Sequence, residues 1–227
     1  MSGSPWLRRI ERAEELAASV PAVAELLRFY REVARFQHSV ALAALPPMPL
    51  DSPELERALR PHYERLVCLM QRIAAPEASR DEAFLRHLVL QPYAEEQARR
   101  TGIRPAPVQP LCPYCGEKPV VAVLRPEGEG GKRFLLCSLC SSEWEFRRLL
   151  CPHCGEEDPL KLAVFTAEQF PHVRVEACES CRTYMKAVDL TRNGLAVPEV
   201  DELAAVALDI WAREQGYAKL QINAVGI

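Results

Sequence analysis

Four Cys-x-x-Cys pairs in the second half of the chain constrain its fold more than any other sequence feature. Eight of the nine cysteines lie in these pairs, at Cys112, Cys115, Cys137, Cys140, Cys151, Cys154, Cys178 and Cys181. A two-residue insert lets both sulfur atoms of a pair turn toward one metal ion. Because a disulfide within a four-residue loop is strained, the pairs predict metal thiolates rather than structural disulfides.

The pairs belong to a sequence repeat. CPYCG at 112–116 recurs as CPHCG at 151–155, an offset of 39 residues, and CSLC at 137–140 recurs as CESC at 178–181, an offset of 41. Each unit therefore contains a first knuckle, two strands, a second knuckle and a third strand. The repeat predicts two four-cysteine sites, one formed by Cys112, Cys115, Cys137 and Cys140 and one formed by Cys151, Cys154, Cys178 and Cys181.

The identity of the two metal ions is left open by the spacing. Four thiolates suit zinc or a rubredoxin-like mononuclear iron equally well. A shell of four protein ligands has no open position, which argues against a hydrolytic zinc centre. His153 lies inside a knuckle, but we expect it to be a bystander because four cysteines already fill the shell. A crossed pairing of Cys137 and Cys140 with Cys151 and Cys154 is an alternative, although it breaks the repeat.

The first hundred residues show the periodicity of helices. Apolar residues recur at every third or fourth position across 21–44 and define one buried face. Pro61 is expected to end or kink the next helix, and Cys68 beyond it to be a small buried hydrophobe. Ser79 and Glu82 match the capping-box pattern before a further helix. These features predict a helical bundle without a catalytic constellation.

The resulting fold class is α+β, with a helical bundle followed by two tandem rubredoxin-like or zinc-ribbon units and a C-terminal helix. The predicted strands are 118–124, 132–137, 143–149, 160–165, 173–178 and 183–188. The predicted domains are a helical domain at 1–100, a Pro-rich linker at 101–111, ribbons at 112–150 and 151–190, and a C-terminal helix and tail at 198–227.

Charge and motif content argue against several functional classes. Formal net charge is -3, and residues 112–190 hold ten Lys and Arg against twelve Asp and Glu, so a phosphate-binding surface is not expected. No phosphate loop, nucleophile elbow or paired-carboxylate motif is present, so we expect no enzyme activity and no catalytic or organic cofactor-binding residues.

No apolar run reaches the roughly 18 residues of a membrane span. The N-terminal segment lacks the apolar region of a signal peptide, which predicts a cytoplasmic protein.

The motif order from Cys112 onward closely resembles the FdhE-type formate dehydrogenase accessory proteins. Specific matches are CSLCSSEW at 137–144, ESCRTYMK at 179–186, and a terminal helix with Leu208-Asp209 followed by Gly216-Tyr217. The resemblance implies a non-enzymatic cytoplasmic assembly factor that acts on the catalytic subunit of a respiratory formate dehydrogenase. It also implies iron in the cysteine sites, with zinc still possible.

Two alternative functions remain beside that expectation. One is a rubredoxin-like electron carrier that acts on diffusible partners, and the other is a zinc-ribbon interaction module with unrelated partners. The long helical domain and the linker favour the assembly factor, because a simple electron carrier needs neither. No sequence feature specifies an oligomeric state.

Overall fold

The computed structural model describes residues 4–73, 81–102, 108–128 and 130–227. The chain divides into two units, Met1–Gly102 with Ala224–Gly226 and Ile103–Asn223 with Ile227. Helices form the first unit, whereas a sheet and two helices form the second, so the predicted α+β class is confirmed. Within the described ranges, no helix combines the length and the apolar character that a membrane span requires.

Over the residues that the structure describes, four helices build the first unit. They are α1 (Pro5–Ser19), α2 (Ala24–Ala41), α3 (Pro53–Ile73) and α4 (Glu82–Thr101), with a 3-10 turn at Pro21–Val23. Each helix turns an apolar stripe inward, and the stripes of α2, α3 and α4 share one core. That core includes Val33, Phe36, Leu55, Leu66, Met70, Leu88 and Tyr93. The helical periodicity of the sequence therefore led to the correct elements.

An end of the helix at Pro61, one of the two outcomes expected there, is not found, and the expected burial of Cys68 was wrong. The helix does not end at Pro61 but continues to Ile73, because apolar residues on both sides of the proline, such as Leu59 and Leu66, are buried in the core. Cys68 is exposed rather than buried. It lies two positions from Leu66, about 200° around the helix, and so points away from the buried stripe.

The start of α4 is capped by a residue other than the one predicted. Ser79 lies outside the described residues, and Asp81 occupies the N-cap position. Its carboxylate accepts a hydrogen bond from the Phe84 amide at 3.0 Å, which satisfies one of the unpaired amides at the helix start.

One sheet runs through both repeats of the second unit. Its strands are β1 (Pro119–Glu127), β2 (Gly130–Cys137), β3 (Glu143–Glu145), β4 (Leu162–Thr166), β5 (Val173–Cys178), β6 (Thr183–Asp189) and β7 (Ala218–Lys219). The strand order is β3-β2-β1-β6-β5-β4, and β7 pairs with β6. Pairing within each repeat is antiparallel, as expected for hairpins, but β1 joins β6 in parallel through pairs such as Val123 with Val188. The two repeats therefore share a sheet instead of standing as separate ribbons.

The third strand of the first repeat is shorter than the predicted 143–149. It ends at Glu145. Beyond Phe146 the chain leaves the ladder, and the Arg147 carbonyl accepts its hydrogen bond from the Arg133 guanidinium at 3.1 Å. The Arg133 side chain thus donates the hydrogen bond that the amide of a neighbouring strand would donate if β3 were longer.

The predicted C-terminal helix is broken into α5 (Pro198–Ala204) and α6 (Val206–Glu214). The break falls at Ala205, where φ is -92° and ψ is 34°. The ammonium of Lys186 on β6 donates to the backbone carbonyls of Glu202 and Ala205 at this break, and the Ala205 carbonyl also accepts a hydrogen bond from the Leu208 amide at 3.0 Å. Both helices cover the sheet, and Ala205, Leu208 and Ala212 pack into its core.

Candidate metal centres

The first knuckle of each repeat has the same backbone geometry. In CPYCG the Gly116 amide donates to the Cys112 carbonyl at 2.9 Å, and in CPHCG the Gly155 amide donates to the Cys151 carbonyl at 3.1 Å. The φ angles of Gly116 and Gly155 are +80° and +77°. This left-handed conformation suits glycine because no Cβ clashes there, which explains why both knuckles end in glycine.

The second knuckle of each repeat also follows one pattern. The residue after its last cysteine, Ser141 in the first repeat and Arg182 in the second, has a left-handed φ of 52° or 55°. Such a conformation is uncommon for residues other than glycine. Because it occurs at matching positions, the repeat extends from the sequence to the backbone of the metal-binding loops.

The structure brings the eight predicted cysteines together in two groups. One contains Cys112, Cys115, Cys137 and Cys140, and the other contains Cys151, Cys154, Cys178 and Cys181. Within each group the sulfur atoms all lie within 4.8 Å of one another. This is the grouping that the repeat predicts, and the crossed pairing is not formed.

The sulfur spacing fits tetrahedral coordination. Cys115 Sγ lies 3.3 Å from Cys137 Sγ in the first group. In the second group, Cys154 Sγ lies 3.7 Å from Cys178 Sγ. Metal–sulfur bonds of about 2.3 Å place tetrahedral sulfur atoms about 3.8 Å apart. The donor sets therefore suit a zinc or iron ion.

The two groups differ in exposure. Cys112, Cys137 and Cys140 of the first group are buried, and Cys115 is half-buried. In the second group Cys151 and Cys178 are buried, whereas Cys181 is half-buried and Cys154 is exposed. His153 is exposed as well and contributes no atom to the cysteine group.

Burial affects the protonation of the second group. It raises the pKa of the Cys151 thiol to about 12. Without a cation this thiol would hold its proton at neutral pH. Coordination requires the thiolate, so metal binding at this group releases protons.

Glu156 links the two knuckles of the second group. Its carboxylate accepts hydrogen bonds from the Ser180 hydroxyl at 2.5 Å and from the Asp158 amide at 3.0 Å. The hydrogen bond from Ser180 is the main reason that the pKa of Glu156 is lowered, to about 2. Since Glu156 follows the first knuckle and Ser180 lies within the second, this contact supports their relative position.

A buried ionic cluster beneath α5 and α6 is the main feature that the sequence did not predict. Its members are Tyr184, Lys186, Glu202, Asp209, Lys219 and Asn223. Lys186 is 0% exposed, and Glu202 and Asp209 are each 1% exposed. The Lys186 ammonium lies 3.0 Å from the Glu202 carboxylate and also binds Asp209. The cluster thereby ties β6 to both helices.

Every charge in the cluster has a partner of opposite sign. Lys219 lies 2.6 Å from Glu202 and 3.0 Å from Asp209, and the Tyr184 hydroxyl donates to Asp209 at 2.8 Å. Burial alone would raise the pKa of Asp209, but Lys186 and Lys219 hold it below its usual value. For Lys219, burial acts to lower the pKa, but Glu202 and Asp209 raise it above normal. Both groups are therefore charged at neutral pH.

A sequence clue to the cluster existed. Tyr184 and Lys186 belong to the ESCRTYMK motif, and Asp209 belongs to the Leu208-Asp209 pair of the terminal helix. Lys186 also places a charge inside an otherwise apolar strand, and Asp209 places one on the apolar stripe of a helix. Such positions indicate buried ion pairs when two of them face one another.

Comparison with known proteins identifies the family. The family model described as "FdhE, central domain" matches residues 111–148, and that described as "FdhE, C-terminal domain" matches residues 149–225. The chain belongs to the FdhE family. The resemblance found in the motifs is thereby confirmed, and both cysteine groups and the ionic cluster lie within the FdhE-matched region.

Individual FdhE relatives agree with this assignment. The FdhE homolog of Aquifex aeolicus is 39% identical over 116 residues, which are 51% of this chain and 41% of that protein. The FdhE homolog of Pseudomonas aeruginosa is 37% identical over 118 residues, which are 50% of this chain and 38% of that protein. The match thus spans about two fifths of the length of these relatives.

A solved FdhE structure extends the similarity to the whole chain. The crystal structure of the FdhE protein from Pseudomonas aeruginosa superposes with a TM-score of 0.72 and 26% identity. The superposition covers 99% of this chain and 97% of that one, so the helical half shares the FdhE architecture too.

Proposed function

We propose that this chain is a cytoplasmic, metal-binding accessory protein for the assembly or maturation of a respiratory formate dehydrogenase. Its client is the catalytic subunit of that enzyme. The observation that carries the proposal is the continuous match of residues 111–225 to the two FdhE domain models. The fold similarity across 99% of the chain supports extending the assignment to the helical unit.

The eight grouped cysteines hold two mononuclear metal ions in this proposal. Support comes from sulfur atoms that lie within 4.8 Å of one another in each group. The family resemblance favours iron, and the donor set accepts zinc equally well. Bound iron would supply one-electron redox chemistry, whereas zinc would be structural.

The proposed role is non-enzymatic. Four cysteines complete a tetrahedral shell, so a bound ion has no position for a substrate or an activated water. The ions would instead order the knuckles and the strands that lead into them. Since each repeat spans only about 40 residues, metal coordination is expected to dominate its folding.

A pull-down tests the proposed client. The full chain, metal-loaded and reduced, is immobilised and offered the purified formate dehydrogenase catalytic subunit, with bare resin as the control. We expect specific capture, and weaker capture after the metal has been removed. No capture under metal-replete conditions would contradict the assembly role.

The rubredoxin-like electron carrier remains the second candidate. The observation that favours it is the exposed Cys154, which brings one sulfur of the second group to the surface. A redox role predicts a rubredoxin-like visible spectrum that bleaches with dithionite. A colourless protein that holds two zinc ions would leave only the structural role.

A further inference from the structure

We infer that the two cysteine groups differ in reactivity, with the second group forming an exchangeable metal centre and the first a closed one. This inference rests on the proposed metal binding and assigns a separate role to each site. The second centre is the one at which thiolate or other soft donors from a partner protein can reach the ion.

Matched positions of the repeat show the difference directly. Cys154 is exposed, whereas its counterpart Cys115 is half-buried. Cys181 is half-buried, whereas its counterpart Cys140 is 2% exposed. The second cysteine group therefore has one side that is exposed to solvent. The corresponding side of the first group is more buried.

The residues between the cysteines show the same contrast. Ser138 and Leu139, inside the second knuckle of the first repeat, are both 5% exposed. Their counterparts Glu179 and Ser180 are exposed. An apolar side chain thus closes the loop of the first centre, while polar side chains in water border the second.

A cavity lies beside the second centre. Its volume is about 240 Å³, and its lining includes Cys151, Cys178, His153, Leu162, Arg174 and Tyr184. A water molecule occupies about 30 Å³ of liquid volume, so the cavity has room for a small thiol or chelating group. The cavity therefore gives an external donor space beside the buried Cys151 and Cys178, and the exposed side of Cys154 gives it access to the centre.

Ligand exchange at this centre needs no oxidant or reductant. An incoming thiolate would replace the Cys154 thiolate on a bound ion, one metal–sulfur bond forming as another breaks, and the oxidation state of the ion would not change. The released Cys154 thiolate takes a proton from water. Since Cys154 is the exposed ligand, it can leave with little rearrangement of the buried strands.

The rate of zinc release tests the inference. The full chain is loaded with two equivalents of zinc and mixed with excess colorimetric chelator. We expect two phases of one equivalent each, separated by more than about tenfold in rate. Cys154→Ser should accelerate or remove the fast phase alone, and the matched variant Cys115→Ser should change the slow phase. Release of both zinc equivalents at a single rate would overturn the inference. So would a Cys154→Ser variant in which the slow phase changes and the fast phase does not.

Alkylation gives an independent measurement that needs no substitution among the eight grouped cysteines. Zinc-loaded protein in a Cys68→Ser background is treated with N-ethylmaleimide and analysed by peptide mass spectrometry. Cys154 should be modified first among the eight grouped cysteines, and modification of Cys115 first would contradict the inference. Equal exchange rates at the two centres, together with intact client capture, would refute this inference and leave the proposed function standing. A chain that binds neither zinc nor iron would refute the proposed metal binding as well.

Discussion

At the scale of single residues, Lys186 illustrates a limit of sequence reasoning. The cysteine groups were predictable because tetrathiolate sites require a recognisable spacing of Cys-x-x-Cys pairs along a chain. Lys186 was not, because lysine is usually exposed, and its partners Glu202 and Asp209 come from elements that follow much later. Only the packing of α5 and α6 on β6 shows that these three charges meet away from water.

Replacing Lys186 should be costly. Lys186→Met leaves Glu202 and Asp209 with Lys219 as their one remaining cationic partner among the described residues, and an uncompensated buried charge costs about 3–5 kcal/mol. We expect a loss of that order in the unfolding free energy, measured by urea titration at neutral pH. The matched control is Lys132→Met, which removes a surface pair with Glu145 that contributes little to stability. Equal losses in the two variants would contradict the role of the cluster.

Lowering the pH should weaken the contribution of Glu176 to the free energy of unfolding. Burial acts to raise its pKa, but Arg133 and Arg174 lower it below its usual value. A carboxylate with a depressed folded pKa stabilises the protein above its unfolded pKa of about 4.3 and loses that effect as the pH falls. The difference in unfolding free energy between the native chain and Glu176→Gln should therefore shrink between about pH 7 and pH 3. A difference that grows toward acid would contradict this assignment.

At the scale of elements, the sequence predicted strands better than their assembly. The strand at Val173–Cys178 has its predicted bounds, because alternation and the following knuckle mark both ends. The parallel pairing of β1 with β6 was not predicted. Parallel neighbours are joined by long crossovers, and nothing local in either strand specifies the partner.

Pro61 offers a test at the element scale. A proline inside a helix lacks an amide and crowds the preceding turn, at a cost of about 3 kcal/mol, while it restricts the unfolded chain by about 0.4–1 kcal/mol. Pro61→Ala should therefore stabilise α3 by about 2 kcal/mol, measured by urea unfolding monitored through far-ultraviolet circular dichroism. Pro53→Ala, at the first position of the same helix, is the control and should change little. A Pro61→Ala variant no more stable than the control would show that the turn already accommodates the proline.

At the scale of the whole molecule, metal binding and sheet formation are expected to be coupled. Cys137 ends β2 and Cys178 ends β5, so each second knuckle continues directly from a strand. Because β6 joins β1, loosening of the second repeat should alter side-chain packing in the shared core, while the more buried first centre keeps its ion.

Disruption of the second centre should therefore be visible in the tertiary spectrum. Cys151→Ser, or complete chelation, is expected to reduce the near-ultraviolet circular dichroism of buried aromatic residues such as Trp144 and Tyr184. Cys68→Ser, at the exposed cysteine of the helical unit, is the control and should leave the spectrum unchanged. An unchanged spectrum after complete metal removal would show that the sheet folds without the ions.

Native mass spectrometry of the full chain tests most directly whether each cysteine group holds one metal ion. We expect a mass that exceeds that of the bare chain by two ions in the native protein and by one ion in Cys112→Ser and in Cys151→Ser. A native chain that carries no metal after purification and reconstitution with iron or zinc would contradict this expectation.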